Sequence, residues 1–262
     1  MFFTHFHLTE HPFAENPKAE ALLCDERFEK ALDRLRFFQQ SGNLALIVGQ
    51  TGTGKSSLLR LYKQSLPKNR CRPVCLHMTH VGPNALFRMI VAQLGESPKL
   101  GKDRLFLQLA DRLEKTDGET LLIIDEAHLL PSPALTDLRL LISAGTDAAL
   151  PLKVVLCGQD PLATTLKRSA HADLKNRICV RVRLNPLTQA QTAAYIDHRL
   201  GVAGGSSKIF DADSKTLIHE FSGGLCRQIN NIATACLVHA HAKNMKFVNE
   251  IVVNEIMSEF HF

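Results

Sequence analysis
Five short apolar runs divide the chain, and helical patterns fill the spaces between them. Leu44–Val48, Leu121–Ile124 and Val154–Cys157 contain no polar position. Runs of that length and purity predict strands buried on both faces, as in a parallel sheet. Residues 73–78 (Pro-Val-Cys-Leu-His-Met) form a further strand candidate, and residues 178–184 alternate apolar and polar side chains in the manner of an edge strand. Helices are expected over Glu26–Gln40, from Ser57 through Tyr62, around Asn84–Leu94 and across Leu105, Leu109 and Leu113. Strand alternating with helix predicts a five-stranded parallel α/β sheet. Beyond Asn185-Pro186 the strands stop. Helical patterns then follow at Gln189–Leu200, Asp213–Phe221, Arg227–Ala242 and Val248–Met257, and the third of these carries an apolar face of period 3.6 (Ile229, Ile232, Ala233, Cys236, Leu237, Ala240). Two parts are therefore expected, an α/β domain over 1–185 and a helical lid subdomain over 186–262.

The turn after the first strand carries the strongest chemistry. Gly49, Gln50, Thr51, Gly52, Thr53, Gly54, Lys55 and Ser56 match G-x-x-x-x-G-K-[ST] at every fixed position, with an apolar strand before and a helix, opened by Ser57, after. Glycines let successive backbone N–H groups curl around phosphates, and the helix N-terminus adds partial positive charge. Lys55 is placed to reach the β and γ phosphates of a nucleoside triphosphate, and Ser56 to hold Mg²⁺.

Three further groups fit that chemistry. Asp125-Glu126 closes the third strand, as expected of a carboxylate pair in which Asp125 binds Mg²⁺ and Glu126 polarises the attacking water. His128, two residues on, reads as a structural turn residue. Gln159 follows the fourth strand, either near the attacking water or as a plain loop cap. Lys167, Arg168, Lys175, Arg177, Arg181 and Arg183 form a cationic stretch interrupted by one acid, Asp173. Arg177 is the candidate for an arginine finger offered to a neighbouring subunit, a solvated basic face being the alternative. Arg227 sits in the first turn of its helix, where the dipole favours acids, and this misfit suggests contact with phosphate.

Composition narrows the picture less. With 262 residues, 45% of them hydrophobic, the chain can bury a sizeable core, and a formal charge of +5 allows a polyanionic partner without requiring one. No basic leader and no apolar run of about 20 residues is present, so a cytoplasmic location without membrane contact is expected. Seven scattered cysteines (24, 71, 75, 157, 179, 226, 236) read as reduced core residues, and no zinc-type spacing occurs.

Taken together, these motifs resemble the ExeA/GspA-like branch of the AAA+ ATPases, which groups with the TnsC, TniB and MuB transposition ATPases. The resemblance covers nearly the whole chain, from Phe6-His-Leu-Thr-Glu-His-Pro12-Phe13 through the phosphate loop, Ile123–Leu129, Leu156–Leu162, Asn176-Arg177-Ile178 and Tyr195–Leu200 to Gly223–Asn230. It departs from the family at Cys226, where Pro is usual, and at Asn176, where Gln is common. It implies an AAA+ P-loop NTPase fold, ATP and Mg²⁺, and Gln159, Arg177 and Arg227 as sensor 1, arginine finger and sensor 2. It also implies a homo-oligomeric ring or filament. A freestanding chain of this length resembles a bacterial transposition helper that coats double-stranded DNA and recruits a transposase; a secretion-assembly ATPase or a weakly hydrolysing scaffold are the alternatives. In the transposition members the region between the second and third strands faces the channel, which puts DNA contacts at Lys99, Lys102 and Arg104.

Overall fold
A computed structural model describes the chain except residues 1, 16, 18, 68, 79–81, 83–84, 145–149 and 261–262. Five strands form one parallel sheet: β1 (Leu44–Val48), β2 (Cys71–His77), β3 (Glu119–Asp125), β4 (Leu152–Gly158) and β5 (Ile178–Arg183), in the order β2-β3-β4-β1-β5. The three interior strands are the three that read as wholly apolar. β5 is an edge, as its alternation predicts, with Cys179, Arg181 and Arg183 exposed. β2 is the other edge, and Pro73 is tolerated there because an edge strand has one unpaired side.

The helices are α1 (Phe2–His5), α2 (Glu26–Ser41), α3 (Lys55–Ser65), α4 (Ala85–Gln93), α5 (Lys102–Glu114), α6 (Ser132–Ser143), α7 (Asp160–Leu166), α8 (Ala172–Asn176), α9 (Gln189–Val202), α10 (Ala212–Ser222), α11 (Cys226–Ala242) and α12 (Glu250–Phe260). The expected start of α4 at Asn84 lies outside the described residues.

Two compact units emerge: Glu29–Gly49 with Leu58–Leu184, and Met1–Phe28 with Gln50–Ser57 and Asn185–Phe262. One division of the chain falls between Leu184 and Asn185. Two earlier stretches, however, group with the C-terminal helices instead of the sheet. In the sheet unit, α4, α5 and α6 bury Leu86, Ile90, Leu109, Leu113, Leu138 and Leu141 together with Leu122, Ile124, Val154 and Leu156. At about 1.5–3 kcal/mol for each fully buried aliphatic side chain, this cluster is the main favourable term of that unit.

In the helical unit, α9 to α12 close around Ile196, Leu200, Ile229, Cys236, Leu237 and Val252, and Phe6, Leu8 and Phe13 complete that core from the N-terminus. Local chemistry sets the helix starts. Thr188 and Gln191 form a reciprocal capping box on α9, and the Asp211 side chain accepts the Ser214 N–H on α10. A buried guanidinium then fastens the N-terminal segment. Arg199 Nε donates to Pro12 O at 2.6 Å, Nη2 to Ala14 O at 2.9 Å and Nη1 to Tyr195 Oη at 3.0 Å. The Tyr195 hydroxyl in turn donates to Asn230 Oδ1 at 2.9 Å, which ties α9 to α11 one turn beyond Arg227.

Candidate functional site
The phosphate loop folds as its glycines demand. Gly52 and Gly54 adopt φ of +84° and +100°, a region costly to residues with a Cβ. Thr53 is fully buried and its hydroxyl donates to Gln50 O at 2.9 Å, closing the turn on itself. Lys55 starts α3 with 6% exposure, and its Nζ donates to the same Gln50 carbonyl at 2.9 Å. That interaction keeps a buried ammonium satisfied inside the loop, beside a helix N-terminus with no acid in its first turn. Ser56 is exposed and Ser57 half-buried. Left-handed glycines, an inward lysine and a helix start free of acidic side chains are the features a polyphosphate requires, so the residues present fit a nucleoside triphosphate.

Arg227 stands against this loop. Its backbone N–H donates to Gly52 O at 3.4 Å, and a Cβ built on Gly52 would lie 3.1 Å from the Arg227 Cβ. The Arg227 side chain is exposed and makes no hydrogen bond or ion pair among the described residues. Phe28 lies on the loop's other glycine, its ring 3.1 Å from a Cβ on Gly54.

In the sheet unit, β1, β3 and β4 end side by side, and Gly49 N–H donates to Gly158 O at 3.2 Å. Asp125 ends β3. Its Oδ1 accepts the Glu126 N–H at 3.0 Å and its Oδ2 lies 3.7 Å from His77 Nδ1. Glu126 turns left-handed, φ +54°, and its Oε2 comes 3.2 Å from His128 Nδ1 without a hydrogen bond to it. Gln159 precedes α7 but its side chain does not cap that helix and has no partner among the described residues, so the loop-cap reading has no support. Its backbone N–H points to His128 Nδ1 at 3.5 Å. His128, read from sequence as a turn residue, therefore touches both Glu126 and Gln159. Only its position two residues beyond the carboxylate could have flagged it.

The cationic stretch is not uniform. Arg183 pairs with Asp160 at 2.6 Å, and Arg181 Nη2 donates to Lys175 O. Arg177, just after α8, is exposed with no side-chain partner among the described residues. Of the candidate DNA contacts, Lys99 and Arg104 are exposed, whereas Lys102 Nζ lies 2.6 Å from Asp137 Oδ1, a carboxylate only 6% exposed. Lys102 is thus committed to an internal ion pair. Gln108 fixes the loop before α5, accepting the Lys99 N–H and donating to Glu96 and Ser97 O.

No disulfide joins any of the seven cysteines. Cys24, Cys75 and Cys179 are exposed, contrary to a wholly interior set, while burial pushes the Cys236 thiol up to about 12. No cluster suited to a metal held by histidine, cysteine and carboxylates occurs among the described residues. None of the described helices is long and apolar enough to cross a membrane.

A parallel five-stranded sheet with a phosphate loop after β1 and a carboxylate pair after β3 is the AAA+ P-loop NTPase fold. Residues 39–166 match the AAA domain family, which implies a nucleotide-binding NTPase. General secretion pathway protein A of Aeromonas hydrophila is 33% identical over 254 residues, 93% of this chain and 45% of the relative, so the chain spans under half of that protein. These matches support an AAA+ ATPase of the ExeA/GspA-like branch. Among solved structures, Cdc6p from Pyrobaculum aerophilum superposes with a TM-score of 0.72 at 21% identity, over 90% of this chain and 67% of that one. The Aeropyrum pernix ORC1 protein in complex with DNA gives 0.70 at 16%, over 95% and 68%.

Proposed function
We propose that this chain binds ATP with Mg²⁺, hydrolyses it, and assembles into a homo-oligomer whose active sites are shared between subunits. The observation that carries the proposal is the phosphate loop, held in its left-handed glycine conformation with Arg227 hydrogen-bonded to it. In this reading the loop N–H groups and Lys55 bind the phosphates, and Ser56 and Asp125 hold the metal. Mg²⁺, when bound, neutralises charge on the β and γ oxygens. Glu126 accepts a proton from the attacking water, and the Gln159 amide orients that water. Arg227 reaches the γ-phosphate. Arg177, exposed and uncommitted, serves the site of a neighbouring subunit. Glu126→Gln protein that binds ATP but turns over at the wild-type rate would remove Glu126 from this scheme.

The likeness to a general secretion pathway protein supports an ExeA-like secretion-assembly ATPase. A second reading, a helper that coats DNA and regulates a transposase, draws on the exposed Lys99 and Arg104 and on fold neighbours solved with DNA. Turnover stimulated by duplex DNA separates the two: stimulation supports the DNA reading, and indifference to DNA at low salt supports the assembly reading.

A further inference from the structure
Arg177 stands where two pieces of chain meet that cannot hold it by themselves. Before it lies α8, five residues long, and a helix that short needs tertiary contacts to keep its place. After it comes β5. Pairing with β1 starts at Ile178 opposite Leu44 but continues with Val180 opposite Ala45, so Cys179 is an extra residue in the register. The ladder is irregular immediately after Arg177, and the direction of its side chain must be set from the α8 side.

Three contacts hold α8. Leu174 is anchored in the apolar core of the sheet unit, but apolar burial is non-directional. Asp173 reaches Arg139 of α6 at 3.2 Å, with its carboxylate largely in solvent, where ion pairs contribute little. The directional tie is His171. It ends the 3-10 turn Ser169–His171 and precedes α8, yet its side chain does not cap that helix. The ring, 2% exposed, is tied instead to α6, with Nε2 2.9 Å from the hydroxyl of Ser132, the first residue of that helix. A buried ring nitrogen is unfavourable without a hydrogen bond, so Ser132 fixes the ring, and the ring fixes the start of α8. The bond needs no change of charge, since a hydroxyl can donate to Nε2 or accept from it.

We infer that His171 is the positioning residue of the arginine finger: its bond to Ser132 seats α8 on α6, and α8 aims Arg177 at the neighbouring subunit. α6 is the helix that follows the Asp125-Glu126 turn, so the finger for one site is seated next in sequence to the carboxylates of another. The role rests on the shared active site proposed for this chain.

ATP hydrolysis by mixed variants tests it, with melting temperature as the folding control. His171→Phe keeps the ring and loses the hydrogen bond. It is expected to lose about tenfold or more in kcat, with KM for ATP within about threefold, because a group misplaced by ~1 Å can cost roughly 10²-fold. His171→Gln, whose amide reaches the place of Nε2, should stay within about threefold of wild type. Mixed with Lys55→Ala, which has an intact finger, His171→Phe should recover turnover, since its own phosphate loop is untouched. Mixed with Arg177→Ala it should recover none, because neither chain then offers a finger. If His171→Phe does not fold, Ser132→Ala removes the same bond from an exposed position and is read in the same two mixtures, with the same pattern expected. Wild-type kcat in folded His171→Phe, equal losses in the Phe and Gln variants, recovery with Arg177→Ala, or recovery with neither partner would each overturn the assignment. Failure of Arg177→Ala and Lys55→Ala to rescue one another would instead overturn the shared site on which it stands.

Discussion
Lys102 shows how one side chain can look like a surface cation and act as a structural one. Its ammonium neutralises Asp137, which sits on α6 with almost no exposure. Removing one partner of a buried pair leaves an uncompensated charge, which costs more than the pair was worth. Lys102→Ala is therefore expected to destabilise the protein by about 1–3 kcal/mol, discounted for the half-exposed lysine. The double variant Lys102→Met with Asp137→Leu should recover most of it. Urea denaturation checks both, and an unchanged midpoint for Lys102→Ala would show that the pair contributes nothing. A second residue-scale test concerns thiols: Cys24, Cys75 and Cys179 should react quickly with an aromatic disulfide at pH 8, while Cys71, Cys157 and Cys236 should wait for unfolding. Rapid reaction of all seven would contradict the burial of the last three.

At the scale of elements, what could be read along the chain follows from whether the cause is local. The strands were legible because β1, β3 and β4 are buried on both faces and so are built around apolar runs. The phosphate loop was legible because its conformation needs glycine at fixed places. α6 was not foreseen, since Pro131-Ser132-Pro133 reads as a loop, although Pro is tolerated in a first turn and Leu135, Leu138, Leu141 and Ile142 keep helical spacing. α7 hides behind Asp160-Pro161 in the same way. The N-terminal clasp was beyond reach because Arg199 bonds carbonyls at Pro12 and Ala14, a partnership between distant residues that leaves no periodic trace. The left-handed Glu126 had no signal either, because a positive φ at a glutamate leaves no trace in residue type. Arg199→Met should cut the clasp, leave two carbonyls and the Tyr195 hydroxyl short of a donor, and cost about 2–4 kcal/mol. Limited proteolysis within residues 9–18 should quicken in parallel. Cleavage at the wild-type rate would mean that the packing of Phe6, Leu8 and Phe13 and the Thr9 hydrogen bonds to Ala203 O hold the segment without Arg199.

At the scale of the whole molecule, the proposed assembly and its DNA contact each carry a prediction. A shared active site predicts that specific turnover rises with protein concentration. It also predicts that Arg177→Ala mixed with Lys55→Ala recovers activity neither has alone, because each supplies the half the other lacks. Failure to recover, with both variants folded, would place Arg177 outside the neighbour's site. DNA is the sharper question. A formal charge of +5 spread over 262 residues gives one subunit little hold on a duplex, so any binding must multiply a few cations over many subunits and should require ATP. Lys102 is a poor probe, since its removal exposes Asp137. The clean variant is Lys99→Ala with Arg104→Ala, two exposed cations beside a loop that Gln108 holds in place. If these touch phosphates, affinity should fall alike on unrelated duplexes. The slope of log affinity against log salt should also become shallower by about 0.9 for each phosphate that a bound subunit no longer neutralises. Unchanged affinity and slope in that variant would move the DNA-binding surface elsewhere, Lys167, Arg168 and Lys175 being the next to test. No ATP-dependent binding at low salt would remove the DNA reading altogether and leave the assembly ATPase.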